Sequence, residues 1–203
     1  MTPRKLSITA GLSYLVIFIT AIYANFFVLE AMKLAPLQTI QQSGLIVRTG
    51  VVAFLLAALF DVVVAWAFNE LYKKHPLNSL STYLRVLHAG IFGVAIFALL
   101  ASLSATTDAQ VLAQLDIFNN IWLTGLFFFG LHLILLSRII NCPKFIRIFL
   151  FLAGSMYMID TCAHFLLENY QDYASTFLTL VAIPSIFGEM ALTIWLLAKG
   201  GKK

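Results

Sequence analysis

Residues 123–168 read LTGLFFFGLHLILLSRIINCPKFIRIFLFLAGSMYMIDTCAHFLLE, two apolar runs joined by a short basic turn. Crossing about 30 Å of hydrocarbon takes about 20 helical residues. The first run, 123–136, reaches that length once extended back to Asn119, and the second, 145–167, reaches it unaided. Between them stand Arg138, Asn141, Pro143, Lys144 and Arg147. Pro143 has no backbone N–H, so it ends one helix and starts the next. The first run carries His132, and the second carries Asp160 and His164. Ionisable groups at membrane depth are costly, so they turn inward and mark candidate sites.

The rest of the chain follows the same pattern. Of 203 residues, 61% are hydrophobic and 11% charged, with a mean hydropathy of +0.93. A soluble domain carries about 25% charged residues. The composition predicts an all-α polytopic membrane protein, a single domain spanning 1–203 with six transmembrane helices in one bundle. The spans fall at about 8–29, 45–71, 80–103, 116–138, 145–167 and 174–198. That leaves no length for a soluble domain. The basic start followed by a long apolar run reads as an uncleaved first span rather than a signal peptide. Residues 30–44 read as a polar linker with room for a short surface helix, and Pro184 is expected to kink the last span. Cys142 and Cys162 do not make a disulfide framework.

Orientation follows from Lys and Arg in short loops. Arg4, Lys5, Lys73, Lys74, Arg138, Lys144, Arg147, Lys199, Lys202 and Lys203 fall on one side, and Lys33 on the other. This places both termini in the cytoplasm, in a bacterial cytoplasmic membrane. The partner implied is the lipid bilayer. The net charge of +4 follows topology and is no sign of nucleic acid. No Gly-rich phosphate loop is present, which argues against an ATP-driven pump.

Depth can be read from the helical rise of about 1.5 Å per residue. Asp61, His88, His132 and Glu189 fall at similar depth toward the cytoplasmic side, with Arg85 just below them. These five form the candidate ligand-binding set. A second polar layer toward the outside comprises Arg48, Asp160 and His164, with Asn25. Asp160 and His164 are spaced i, i+4 and share a helix face. Each group has a structural alternative: Asp61 and Arg85 as a buried pair that sets helix register, His132 as a helix-to-helix hydrogen bonder, Arg48 as a snorkelling cation. Gly90, Gly93, Gly125, Gly130 and Gly154 suggest close helix packing. One His per helix is a weak metal signal, so no metal site is assigned and no cofactor is named.

The stretches GLFFFGLHLILLS (125–137), LAGSMYMID (152–160) and GEMALTIWLLAKG (188–200) resemble the bacterial integral-membrane family catalogued as domain of unknown function 4386. VRTG (47–50), Asp61 in LFDVV and Arg85 in LRVLHAG fit the same pattern, and the resemblance covers nearly the whole chain. It implies six membrane helices and the polar set Arg48, Asp61, Arg85, His132, Asp160 and Glu189, but brings no activity or cofactor. His88 and His164 depart from the family pattern, which counts against a metal site built on either.

Three functional readings stand. The first is a protein that binds or moves a small ligand, ion or proton at a polar cavity in the cytoplasmic half of the bundle. The second is a membrane-embedded enzyme acting on a lipid or hydrophobic metabolite through His132, Asp61 and Glu189. The third is a structural or partner-binding subunit whose polar groups only hold the bundle together.

Overall fold

The computed structural model describes residues 1–202. Among them there are helices and turns and no strand. The helices are α1 (Pro3–Ile22), α2 (Glu30–Leu34), α3 (Pro36–Leu71), α4 (Asn78–Ser102), α5 (Asp108–Ile139), α6 (Lys144–Leu166) and α7 (Ala174–Ala198). A π-helical stretch, Tyr23–Leu29, fuses α1 to α2, so six helical stretches are long and apolar enough to cross a membrane. Each packs on the next in chain order, and α7 returns to α1, closing a ring.

Two helices run longer than the apolar pattern implies. The stretch expected as a polar linker is helical: Pro36 takes the first position of α3, where its missing N–H costs nothing. The Asp108 carboxylate accepts from the Leu37 N–H at 2.9 Å and caps that helix from across the bundle. The α3 axis bends at Ser43, whose φ of −132° is not helical. Residues 108–115, read from sequence as loop, form the first turns of α5, capped by the Thr107 hydroxyl accepting from Gln110 N–H. At the other end, α7 continues through Pro184 as one helix.

Lipid-facing and core positions separate as they must when the solvent is hydrocarbon. Leu12, Ile19, Phe26, Phe27, Leu55, Phe97 and Phe151 are exposed, which in water would be a liability and in lipid is the favourable arrangement. The interior has two apolar clusters. One surrounds Tyr14, Val64, Phe68, Leu133, Leu136, Ile146, Leu150 and Leu196 at the end that carries both termini. The other surrounds Met32, Phe54, Phe92, Leu99 and Phe118 at the far end and takes no buried residue from α6 or α7. The side of the far end bounded by α6 and α7 therefore lacks a filled core.

Three of the five expected glycines do let helices approach. A Cβ on Gly130 would lie 2.5 Å from the Gly154 carbonyl oxygen, one on Gly154 would meet the Gly130 carbonyl in turn, and one on Gly125 would lie 3.2 Å from His88 Nδ1. Gly90 and Gly93 do not, since nothing stands within 4 Å of a Cβ at either.

Candidate functional site

The polar centre is built on α3 and α4, which a short turn holds antiparallel. The Arg85 guanidinium donates to Asp61 Oδ1 at 2.5 Å and to the Tyr14 hydroxyl at 2.6 Å. A third donation, 3.3 Å long, reaches His132 Nε2. Its carbon lies 4.8 Å from the Tyr14 ring centroid and 5.2 Å from that of Phe129, so two aromatic faces shield the cation. His88 Nε2 lies 3.6 Å from the other Asp61 oxygen. Arg85 is 1% exposed, and Asp61 and His88 are 5% exposed. Among the described residues, Arg85 Nε and His88 Nδ1 have no hydrogen-bond partner.

The tautomer of His132 follows from its neighbours. Arginine only donates, so Nε2 accepts, and the proton sits on Nδ1. Nδ1 then donates to the Ser81 carbonyl at 2.9 Å. Both ring nitrogens are engaged with protein, and His132 is 1% exposed.

Two adjoining cavities meet at this layer. The smaller, about 170 Å³, is lined by Tyr14, Asp61, Arg85, His88, Phe92, Tyr157 and Glu189 among others. The larger, about 540 Å³, opens toward the far end and is lined by Lys33, Trp122, Tyr157, Asp160, His164, Tyr170 and Glu189 with apolar residues of α1, α5 and α7. Phe18, Trp122, Leu126, Tyr157 and Glu189 belong to both walls. Asp160 accepts from the Tyr170 hydroxyl at 2.7 Å, and His164 Nε2 lies 3.0 Å from Asn120 Oδ1. Burial, reinforced by the Asp160 carboxylate, pushes the Tyr170 hydroxyl up, so it remains a donor.

Of the residues singled out from sequence, Asp61, Arg85, His88 and Glu189 share the smaller cavity, and Asp160 and His164 share the larger. His132 lines neither cavity; it stands behind Arg85. Arg48 is exposed on α3 and is not part of the wall holding Asp160 and His164. Tyr14, Trp122 and Tyr157 line the cavities and were not singled out. Among the described residues no three His, Cys, Asp or Glu side chains stand close enough to hold a metal together.

A closed ring of six apolar helices around a charged centre defines a polytopic helical membrane protein. The chain belongs to the family described as Domain of unknown function (DUF4386), whose model matches residues 9–200. An uncharacterised protein of the archaeon Archaeoglobus fulgidus is 28% identical over 158 residues, covering 75% of this chain and 84% of that protein. No solved structure matches the chain.

Proposed function

We propose that this protein binds or moves a small ligand, ion or proton through the cavity around Glu189, from a cytoplasmic membrane in which both termini face the cytoplasm. One observation carries the reading: Glu189 lies in the wall of both cavities, between the far-end vestibule and the Asp61–Arg85–His88 centre. A carboxyl there can take a proton or cation from the vestibule and pass its effect to the buried pair. Burying an ionised carboxylate in apolar surroundings is costly unless a partner opposes it, and Glu189 belongs to none of the ion pairs among the described residues. The membrane orientation rests on the basic residues of the termini and of the turns at Lys73, Lys74 and 138–147.

The structural reading draws on different observations: Arg85, Asp61 and His132 are bonded to one another and to Ser81 and Tyr14. Cysteine accessibility separates the two. In a chain with Cys142→Ser and Cys162→Ser, Glu189→Cys should react with a membrane-impermeant thiol reagent added from the side of Asp108. Lys73→Cys should react only from the opposite side. Absence of reaction at Glu189→Cys from either side would leave the structural reading standing. Reaction of Lys73→Cys and Asp108→Cys from one side would overturn the orientation.

A further inference from the structure

The larger cavity has a distinct shape and charge. No residue of α7 before Pro184 is buried, although α7 is fully helical from Ala174. By contrast, α1 and α7 are tightly joined near the termini, where a Cβ on Gly11 would lie 2.7 Å from Leu197 and Arg4 donates to the Leu196 and Leu197 carbonyls of α7. The first half of α7 thus places no side chain in the interior, and the far-end apolar cluster takes nothing from it. Phe18 of α1 and Leu178, Ala182 and Ile186 of α7 line the space between. Leu178 and Ile186 line the cavity and are also exposed on the outer surface of α7, so this apolar wall runs out to a face that an apolar spanning helix turns to lipid.

The charge inside is one-sided. The two cavity walls carry three carboxyl groups, Asp61, Asp160 and Glu189, against the cations Lys33 and Arg85 and the histidines His88 and His164. Arg85 is engaged with Asp61 at 2.5 Å, and Lys33 with Glu30 at 2.9 Å. Among the described residues, Asp160 accepts only from neutral Tyr170, and Glu189 has no cation within ion-pair distance. Trp122, Tyr157 and Tyr170 stand in the same wall, and aromatic faces attract organic ammonium groups. A volume of about 540 Å³ falls within the roughly 300–1,000 Å³ of small-molecule sites.

We propose that this vestibule takes a lipophilic organic cation, which enters sideways from the bilayer between α1 and the first half of α7 and sets its charge between Asp160 and Glu189. The proposal rests on the reading of Glu189 as a ligand-facing group and narrows the ligand to a class. An inorganic ion has no use for the apolar wall, and an anionic lipid would meet two acidic groups that stand outside the ion pairs of the described residues.

The test is equilibrium binding to the detergent-purified full chain of tetraphenylphosphonium and of its near-isosteric anion, tetraphenylborate. Saturable binding of the cation, at least tenfold tighter than the anion, is expected. Glu189→Gln and Asp160→Asn should each weaken it tenfold or more. Ala182→Trp, which fills the opening and removes no charge, should weaken it as well and covers the case in which a carboxyl variant does not fold. Equal binding of the two ions, or cation binding indifferent to all three substitutions, overturns the proposal. Its failure together with reaction of Glu189→Cys would leave an accessible carboxyl for a proton or inorganic cation. Failure together with an unreactive Glu189→Cys would remove both readings.

Discussion

The Arg85 guanidinium stands 2.5 Å from the Asp61 carboxylate, with both side chains almost wholly removed from solvent. Breaking such a pair leaves one buried charge uncompensated, which costs about 3–5 kcal/mol, whereas replacing both partners by apolar residues of similar volume is often neutral. Asp61→Asn and Arg85→Gln should each lower the thermal unfolding temperature in detergent sharply. The double variant Asp61→Leu with Arg85→Met should recover much of the loss. Equal losses in the double and single variants would show that the pair contributes through other contacts.

His132 and Glu189 should separate in experiment. His132 is spent on Ser81 and Arg85 and lines neither cavity. Removing one partner of a buried hydrogen bond costs about 1–3 kcal/mol. His132→Leu should therefore lower stability and leave tetraphenylphosphonium affinity within about twofold once the protein is folded. Glu189→Gln should do the reverse. A large affinity loss in folded His132→Leu would bring the histidine back into the site.

These two residues also show what was legible in the sequence. Apolar run lengths and Lys/Arg spacing fix how many times the chain crosses and how far along each helix a residue lies. That was enough to bring Asp61, Arg85, His88 and Glu189 to one level. Axial depth carries no information on rotation about the helix, and rotation is what turns His132 toward Ser81 and Arg48 outward. Tyr14, Trp122 and Tyr157 give no signal because an aromatic residue in an apolar helix looks like core. The helical start of α3 was hidden for another reason: its cap comes from Asp108, 71 residues away.

Helix approach at α5–α6 depends on two glycines facing each other. A Cβ on Gly130 would fall 2.5 Å from the Gly154 carbonyl oxygen, which is backbone and cannot rotate aside. Overpacking of this kind costs about 1–3 kcal/mol. Gly130→Ala and Gly154→Ala should both lower the unfolding temperature. Gly93→Ala, with nothing within 4 Å of the new methyl, should be neutral or slightly stabilising. Equal effects at all three positions would mean that backbone entropy, not contact, decides.

Cys142 lies half-buried in the turn between α5 and α6. Burial pushes its thiol up to about 11, only partly offset by Arg147. At pH 8 roughly a thousandth of it is thiolate, against about a quarter for a thiol of ordinary pKa near 8.5. Its maleimide labelling should be slow and rise about tenfold per pH unit from 8 to 10. A labelling rate that levels off by pH 9 would contradict the burial.

The last prediction concerns the seam that closes the ring. Arg4 on α1 donates to the Leu196 and Gly200 carbonyls at 2.9 Å each and also to that of Leu197. The final carbonyls of a helix have no partner within it, so a single guanidinium completes the end of α7 and ties it to α1. Hydrogen bonds to a charged group contribute about 1.5–3 kcal/mol. Losing that much raises local opening roughly ten- to a hundredfold. Arg4→Ala should therefore speed amide hydrogen exchange in peptides covering residues 190–202. Exchange over 174–183, which has no buried side chain and lies at the other end of α7, should not change. Arg4→Lys keeps the charge but loses the fork geometry that reaches three carbonyls, so it should fall between. If exchange at 190–202 is unchanged in Arg4→Ala, the α1–α7 seam is held by the packing of Gly11 on Leu197 alone, and Gly11→Leu becomes the variant that opens it.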